Sequence, residues 1–184
     1  MQTTTLLQNT ELQATERARN IKLMIFDVDG VLTDGGLRYG AEGELIKTFN
    51  VLDGHGIKLL QRFGVQAAII SARQSAIVAR RAADLGIKIV LQGVSDKRIA
   101  FENTLAESAL SSQQCGFMGD DVIDLPVMTR VGFAASVPNG HPEVRKRAHY
   151  LTQATGGHGA VREVCDFILH AQGNYEAALA PYLL

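Results

Sequence analysis

Tryptophan is absent from this 184-residue chain, cysteine occurs twice and proline four times. Cys115 and Cys165 have no partner cysteines at metal-ligand spacing. That excludes a disulfide scaffold or a Cys-based zinc site and leaves ordinary reduced, structural thiols as the expectation. No uninterrupted apolar run approaches the ~18 residues that a membrane-spanning helix requires. The opening stretch MQTTTLLQNTELQATERAR has neither a basic start nor an apolar core of signal-peptide length. A cytoplasmic location without a membrane partner is therefore expected. Charge of one sign is also missing: 18 Lys and Arg face 19 Asp and Glu, for a formal net charge of −1. Without a bulk basic field, nucleic acid is not an expected partner.

Apolar residues, by contrast, make up 46% of the chain, as in an ordinary globular domain. Short apolar runs recur at 22–28, 65–71, 87–92, 115–119 and 132–137, with a shorter one at 149–152. They lack clean polar/apolar alternation, which suits strands buried on both faces. Helical patterns lie between them. Val78, Ala82 and Leu85 form a stripe in 74–85, and Gly86 marks its end. Asp96 is placed to cap a helix over 96–108. Val161, Val164, Cys165 and Ile168 form the apolar face of 159–171. Strand–helix alternation of this kind predicts an α/β protein with a doubly wound parallel sheet.

Residues 37–49, LRYGAEGELIKTF, break the rhythm and read as a β-hairpin around Ala41-Glu42-Gly43. The expected organisation is a polar, helical or frayed extension over 1–20, one domain over 21–173, and a tail over 174–184 that is apolar enough to seek a surface. No internal repeat, low-complexity tract or linker is evident.

Ligands of doubly wound sheets bind at the carboxyl ends of the strands. The residues there are Asp27 and Asp29 after the first run, Ser71 and Arg73 after the second, Lys97 at the start of the following helix, and Asp120, Asp121 and Asp124 after the fourth. Any one of these alone is most simply a turn former, a cap or a solvated charge. Ser71 alone reads as the cap of helix 74–85. Asp124 is balanced between a helix cap and support of a metal. Together they suggest phosphoryl transfer. An oxygen-only ligand set favours a hard cation, most plausibly Mg²⁺. A cation and an ammonium neutralise the transferring group, one carboxylate can attack phosphorus, and a second can move the leaving-group proton.

These motifs resemble the haloacid dehalogenase superfamily of phosphatases: DVDGVLTDG, IISAR, Lys97 and GDDVID match its four motifs in order. The resemblance implies Asp27 as nucleophile, Asp29 as general acid/base, and Ser71 and Lys97 as phosphoryl-binding residues. It also implies Mg²⁺ held by Asp27, Asp120 and the backbone carbonyl of Asp29, with Asp121 and Asp124 in support. The gaps between motifs, 30–70 and 72–96, hold 41 and 25 residues, too few for a cap domain beside the hairpin and one helix. DGGLRYGAEGELIKTFNVLDGHGIKLL and GGHGAVREVCDFILHAQG are similar to the branch that hydrolyses 3-deoxy-D-manno-octulosonate 8-phosphate. That similarity implies a sugar acid phosphate substrate and a homotetramer in which hairpins meet and neighbouring subunits complete each site. It assigns substrate contacts to Asn50, Val51, Leu52, Asp53, Gly54, Lys58, Arg73 and Arg81, beside Asp29 and Lys97.

Arg81 lies at the edge of the apolar stripe of 74–85, so it either reaches outward or has an anionic or interfacial partner. Its distance along the helix from Ser71 favours service in a neighbouring subunit. Lys58 is expected one turn into a helix beginning near DGHG. His55 and His158 lack partners at ligand spacing and read as structural. SAR replaces the more common Thr-Gly-Arg of the second motif, and His158 stands where arginine is expected. Nine-carbon sugar acid phosphates are alternative substrates. A phospho-accepting receiver domain uses similar groups on a similar sheet, but it places its lysine after the last strand, whereas Lys97 precedes GDD.

Overall fold

The computed structural model describes residues 12–184. Its centre is a six-stranded, wholly parallel sheet in the order β5-β4-β1-β6-β7-β8. The strands are β1 Leu23–Phe26, β4 Gln66–Ile70, β5 Ile89–Leu91, β6 Cys115–Met118, β7 Phe133–Ser136 and β8 Tyr150–Leu151. Each lies within one of the expected apolar runs. β1 occupies the middle, pairing Leu23 with Gln66 on one side and with Cys115 on the other.

The missing alternation has a direct cause. Met24 and Phe26 face one apolar core while Leu23 and Ile25 face a second on the opposite side of the sheet. Helices α2 Val51–Arg62, α3 Ala76–Leu85 and α7 Ala160–Ala171 contribute to the first core. Helices α4 Lys97–Ser108, α5 Leu125–Met128 and α6 Pro142–Arg145 contribute to the second. A strand covered on both faces has no polar side to display.

Helix ends follow local chemistry. Asp96 accepts from Arg98 N and Ile99 N and starts α4, and Gly86 ends α3 in the left-handed conformation, both as expected. Ser75, not Ser71, caps α3 by accepting from Val78 N. That correction releases the Ser71 hydroxyl from a capping role. Helix α2 also begins earlier than expected: Asn50 caps it through Leu52 N, so Lys58 lies two turns in, exposed to solvent. Gly54 and Gly56 had masked the first turn.

Strands β2 Arg38–Gly40 and β3 Gly43–Ile46 form the separate antiparallel hairpin, paired to no other strand among the described residues. Of the N-terminal segment, residues 1–11 lie outside the described residues, and 12–19 form helix α1. Ala14 and Ala18 of α1 are buried in the first core, and Gln172 donates to the carbonyls of Ala18 and Ile21. The C-terminal tail finds a surface: Ala178 of α8 Tyr175–Leu179 is buried, and the Tyr182 ring meets His55 of α2 edge-on at 5.5 Å. No helix among the described residues is long and apolar enough to cross a membrane.

Candidate active site

The carboxyl ends of β1, β4 and β6 bring most of the expected residues together. Asp27 follows β1 directly and is buried. Lys97, the first residue of α4, sends Nζ to 2.7 Å from Asp27 Oδ1 and 2.6 Å from Asp124 Oδ1. Asp124 is fully buried, and its other oxygen accepts from the backbone N–H groups of Asp120 (3.0 Å) and Asp121 (3.1 Å). The helix-cap reading is not met, since the Asp124 side chain makes no cap bond to α5. Asp124 closes the turn that carries Asp120, and at the same time fixes Lys97 against Asp27.

Asp27, Asp120 and Asp124 each place a carboxylate oxygen within 4.8 Å of the others. Three like charges so close oppose one another's ionisation. Burial first, and then repulsion from Asp124, raises the Asp27 carboxyl to about 7 despite the pull of Lys97. Burial and the charges of Asp27, Asp124 and Asp121 raise Asp120 to about 7 as well. Asp120 Oδ1 is buried without a hydrogen-bond partner. An orphaned acceptor inside an all-oxygen cluster is what a hard divalent cation satisfies. Gly30 leaves the room: its φ is +95°, and a Cβ there would lie 2.2 Å from Asp120 Oδ2.

Ser71 is buried at the end of β4, where its hydroxyl accepts from Arg73 N at 3.3 Å. Asp29 lies outside the three-carboxylate cluster, two residues beyond Asp27. Its oxygens instead meet two cations, Lys47 Nζ and, at 3.4 Å, Arg73 Nε. Asp121 is exposed, and its side chain caps the following turn through Val122 N, so only its backbone N–H reaches the cluster, at Asp124.

The expected substrate-contact residues divide into groups. Val51 and Leu52 are exposed at the start of α2. Asp53 is turned inward: it accepts from Arg162 N at 2.8 Å and from Gly159 N at 3.4 Å, capping α7. Burial raises its carboxyl above the usual range, and those N–H groups oppose the rise. Arg81 donates to the Asn50 carbonyl of its own chain at 3.2 Å and lies over the Phe49 ring. Gly54 makes this approach possible, since a Cβ there would sit 2.2 Å from the Arg81 guanidinium. His158 Nδ1 lies 2.8 Å from the Gly156 carbonyl, a local contact in keeping with a structural residue.

The family model for haloacid dehalogenase-like hydrolases matches residues 68–164. The chain belongs to the haloacid dehalogenase-like hydrolases. A 3-deoxy-D-manno-octulosonate 8-phosphate phosphatase of Yersinia pestis is 47% identical over 163 residues, covering 89% of this chain and 87% of that protein. A probable YrbI-family phosphatase of Pseudomonas syringae superposes with a TM-score of 0.92 at 51% identity, covering 94% of this chain and 98% of that one. A 3-deoxy-D-manno-octulosonate 8-phosphate phosphatase of Moraxella catarrhalis, solved with magnesium, phosphate and the sugar acid, gives 0.90 at 43% identity over 92% and 97% of the two chains.

Two residues of this haloacid dehalogenase-like hydrolase escaped the sequence reading: Lys47 and Glu44 of the hairpin. The Lys47 side chain is 1% exposed, a rare state for lysine, and it bridges Asp29 and Glu44. Glu44 also accepts from the Ser75 hydroxyl and lies 3.8 Å from Arg73. Strand alternation would set Glu44 and Lys47 on opposite faces, yet Lys47 follows β3, which ends at Ile46, and its Nζ lies 3.1 Å from Glu44 Oε1. That alternation gave no sign that the hairpin folds back over the strand ends.

Proposed function

We propose that this protein is a Mg²⁺-dependent phosphomonoesterase that converts 3-deoxy-D-manno-octulosonate 8-phosphate into the free sugar acid and inorganic phosphate. The observation that carries the reading is the meeting of Asp27, Asp120, Asp124 and Lys97, from three separate strand ends, in one buried cluster. The substrate assignment is supported by relatives of that name, which align over most of the chain.

In this reading Asp27 Oδ attacks phosphorus while Asp29 gives a proton to the departing sugar oxygen, leaving an aspartyl phosphate. Asp29 then takes a proton from water, which displaces phosphate from Asp27. Lys97 and Ser71 bind the phosphoryl oxygens, and Asp124 keeps Lys97 aimed. Asp27, Asp120 and the Asp29 carbonyl would hold Mg²⁺, which would supply charge neutralisation at the cluster and at the phosphoryl group. Asp121 acts at one remove, by shaping the turn that holds Asp120. Arg73 offers a part-exposed guanidinium to the sugar acid carboxylate, with its buried Nε turned to Asp29. Asn50, Val51, Leu52, Asp53, Gly54 and Lys58 form or support the wall beside it. A cytosolic setting suits such a water-soluble substrate.

The quaternary reading is a homotetramer with shared sites. It is supported by the unpaired hairpin, where Leu37, Tyr39, Leu45 and Ile46 are 44%, 59%, 63% and 50% exposed. Apolar strand edges of this kind seek a partner, and closed symmetry supplies one. Arg81 would then line a neighbour's site through the part of its fork that Asn50 leaves free. Loss of one charge-assisted contact costs about 1.5–3 kcal/mol, so Arg81→Ala should lower kcat/KM by roughly ten- to a hundredfold. Mixed oligomers of Asp27→Asn and Arg81→Ala subunits should regain activity. A fully active monomer, or no rescue in proven mixed oligomers, defeats the shared site.

Magnesium should also stabilise the fold in a pH-dependent way. The folded-state carboxyls of Asp27 and Asp120 are raised to about 7 from an ordinary 3.8. In the metal-free protein, the stability linked to these groups is full below about 4 and is lost as pH rises through about 7. Protons and metal compete for the same oxygens. Saturating Mg²⁺ should therefore raise Tm by more at pH 8 than at pH 5. An equal rise at both, measured by differential scanning fluorimetry, contradicts the assigned ligands.

Phosphate release from a panel of sugar phosphates tests the proposal as a whole. The eight-carbon sugar acid phosphate should give the highest kcat/KM, and chelation should abolish turnover. Preference for a nine-carbon acid or for a neutral sugar phosphate would overturn the substrate assignment.

A further inference from the structure

Lys47 joins the reaction centre from outside every motif that defines it. Its Nζ contacts Asp29 Oδ1 and lies 3.1 Å from Glu44 Oε1. Asp29 is held on its other side by Arg73, which in turn donates to the Tyr39 hydroxyl at 2.7 Å. Glu44 closes the ring by accepting from the Ser75 hydroxyl at the start of α3. Tyr39, Glu44 and Lys47 all belong to the hairpin or its exit, so these polar contacts fasten it to the ends of β1 and β4 and to the start of α3. A lysine side chain that is 1% exposed needs an anionic partner. Of its two, Glu44 already has Ser75 and Arg73.

We infer that Lys47 is a positioning residue for Asp29: it fixes the rotamer of the acid/base carboxyl and stabilises the carboxylate left after proton donation. The inference rests on the proposed role of Asp29. In the first step the bond from phosphorus to the leaving oxygen breaks, its electron pair stays on that oxygen, and the oxygen takes the Asp29 proton. Phosphorus is then bonded to Asp27 Oδ, and Asp29 carries a new negative charge facing the Lys47 ammonium. In the second step a water proton returns to Asp29 as the water oxygen bonds to phosphorus and the bond to Asp27 breaks. A fixed cation beside a group that gains negative charge in the transition state favours that transition state over the ground state. The hairpin is thereby coupled to chemistry, since only its docked position brings Lys47 to Asp29.

Leaving-group dependence separates this role from a structural one. Good leaving groups depart without a proton, whereas poor ones need the acid. A series of substituted phenyl phosphates of similar shape but graded leaving-group pKa would be assayed for kcat/KM with Mg²⁺. Lys47→Met should steepen the decline of kcat/KM with leaving-group pKa, losing about a hundredfold at the poor end and at least about tenfold less at the good end. Lys47→Arg, which keeps the charge, should recover the parent slope. Should Lys47→Met fail to fold, Lys47→Gln retains a polar head and carries the same expectation. A parallel loss across the series in every folded Lys47 variant overturns the inference and leaves Lys47 as a fastening of the hairpin. Asp29→Asn serves as reference. If it does not steepen the slope, the assignment of Asp29 as the acid fails. If it does and the Lys47 variants do not, the inference alone fails.

Discussion

Asp27→Asn should lower kcat by at least roughly four orders of magnitude, because an amide oxygen neither attacks phosphorus well nor binds a hard cation as a carboxylate does. The fold should not suffer. Asp27 is raised to about 7 by burial and by Asp124, so its ionisation works against the folded state as pH rises through that value. Removing the charge relieves this repulsion, while Lys97 keeps Asp124 as a partner at 2.6 Å. At pH 8 without metal, the variant should melt no lower than the parent. Rapid-quench kinetics and thermal melts together check the pair of outcomes. An inactive variant that is also unfolded would say nothing for a nucleophile, and retained turnover would remove Asp27 from the mechanism.

Lys97→Met should be damaging in both respects. Loss of a preorganised cation at the phosphoryl site costs on the order of a hundred- to a thousandfold in kcat. It also strands two buried carboxylates, Asp27 and Asp124, that now share one ammonium. Breaking a buried ion pair from one side typically costs about 3–5 kcal/mol. Asp27, already raised to about 7, can escape this by taking a proton, and loss of Lys97 removes the largest influence that lowers its proton affinity. The destabilisation should therefore be largest at pH 8 and shrink toward pH 5. Urea denaturation at the two values measures it. Equal destabilisation at both would mean that Lys97 holds the fold by packing rather than by charge.

The sheet was legible in the sequence for a physical reason. Strands covered on both faces, such as Leu23–Phe26 and Cys115–Met118, read as short apolar blocks, and the residue following each block is where a doubly wound sheet places its ligands. Asp27 and Asp120 stand out as candidates because each lies just beyond such a block. The positions that were misread depend on where a side chain goes after the chain has turned. Ser71 and Ser75 are both acceptable caps, and only the structure shows that Ser75 takes the role. Asp53 was assigned to substrate by resemblance, and only the structure shows that it caps a helix more than a hundred residues away through Arg162 N. The early start of α2 was hidden by two glycines that ordinarily argue against helix. Lys47 and Glu44 sit on a hairpin whose place over the strand ends is set by tertiary docking that no local pattern encodes.

Chemical trapping of the intermediate tests the central claim most directly. The protein would be mixed with the sugar acid phosphate and Mg²⁺, quenched with borohydride during turnover, and mapped by peptide mass spectrometry. An acyl phosphate on Asp27 should be reduced to homoserine at that position, only when substrate is present, and with Asp29, Asp120 and Asp124 unmodified. Steady turnover with no reducible acyl phosphate at residue 27, or one found at another of the site carboxylates, would contradict the account.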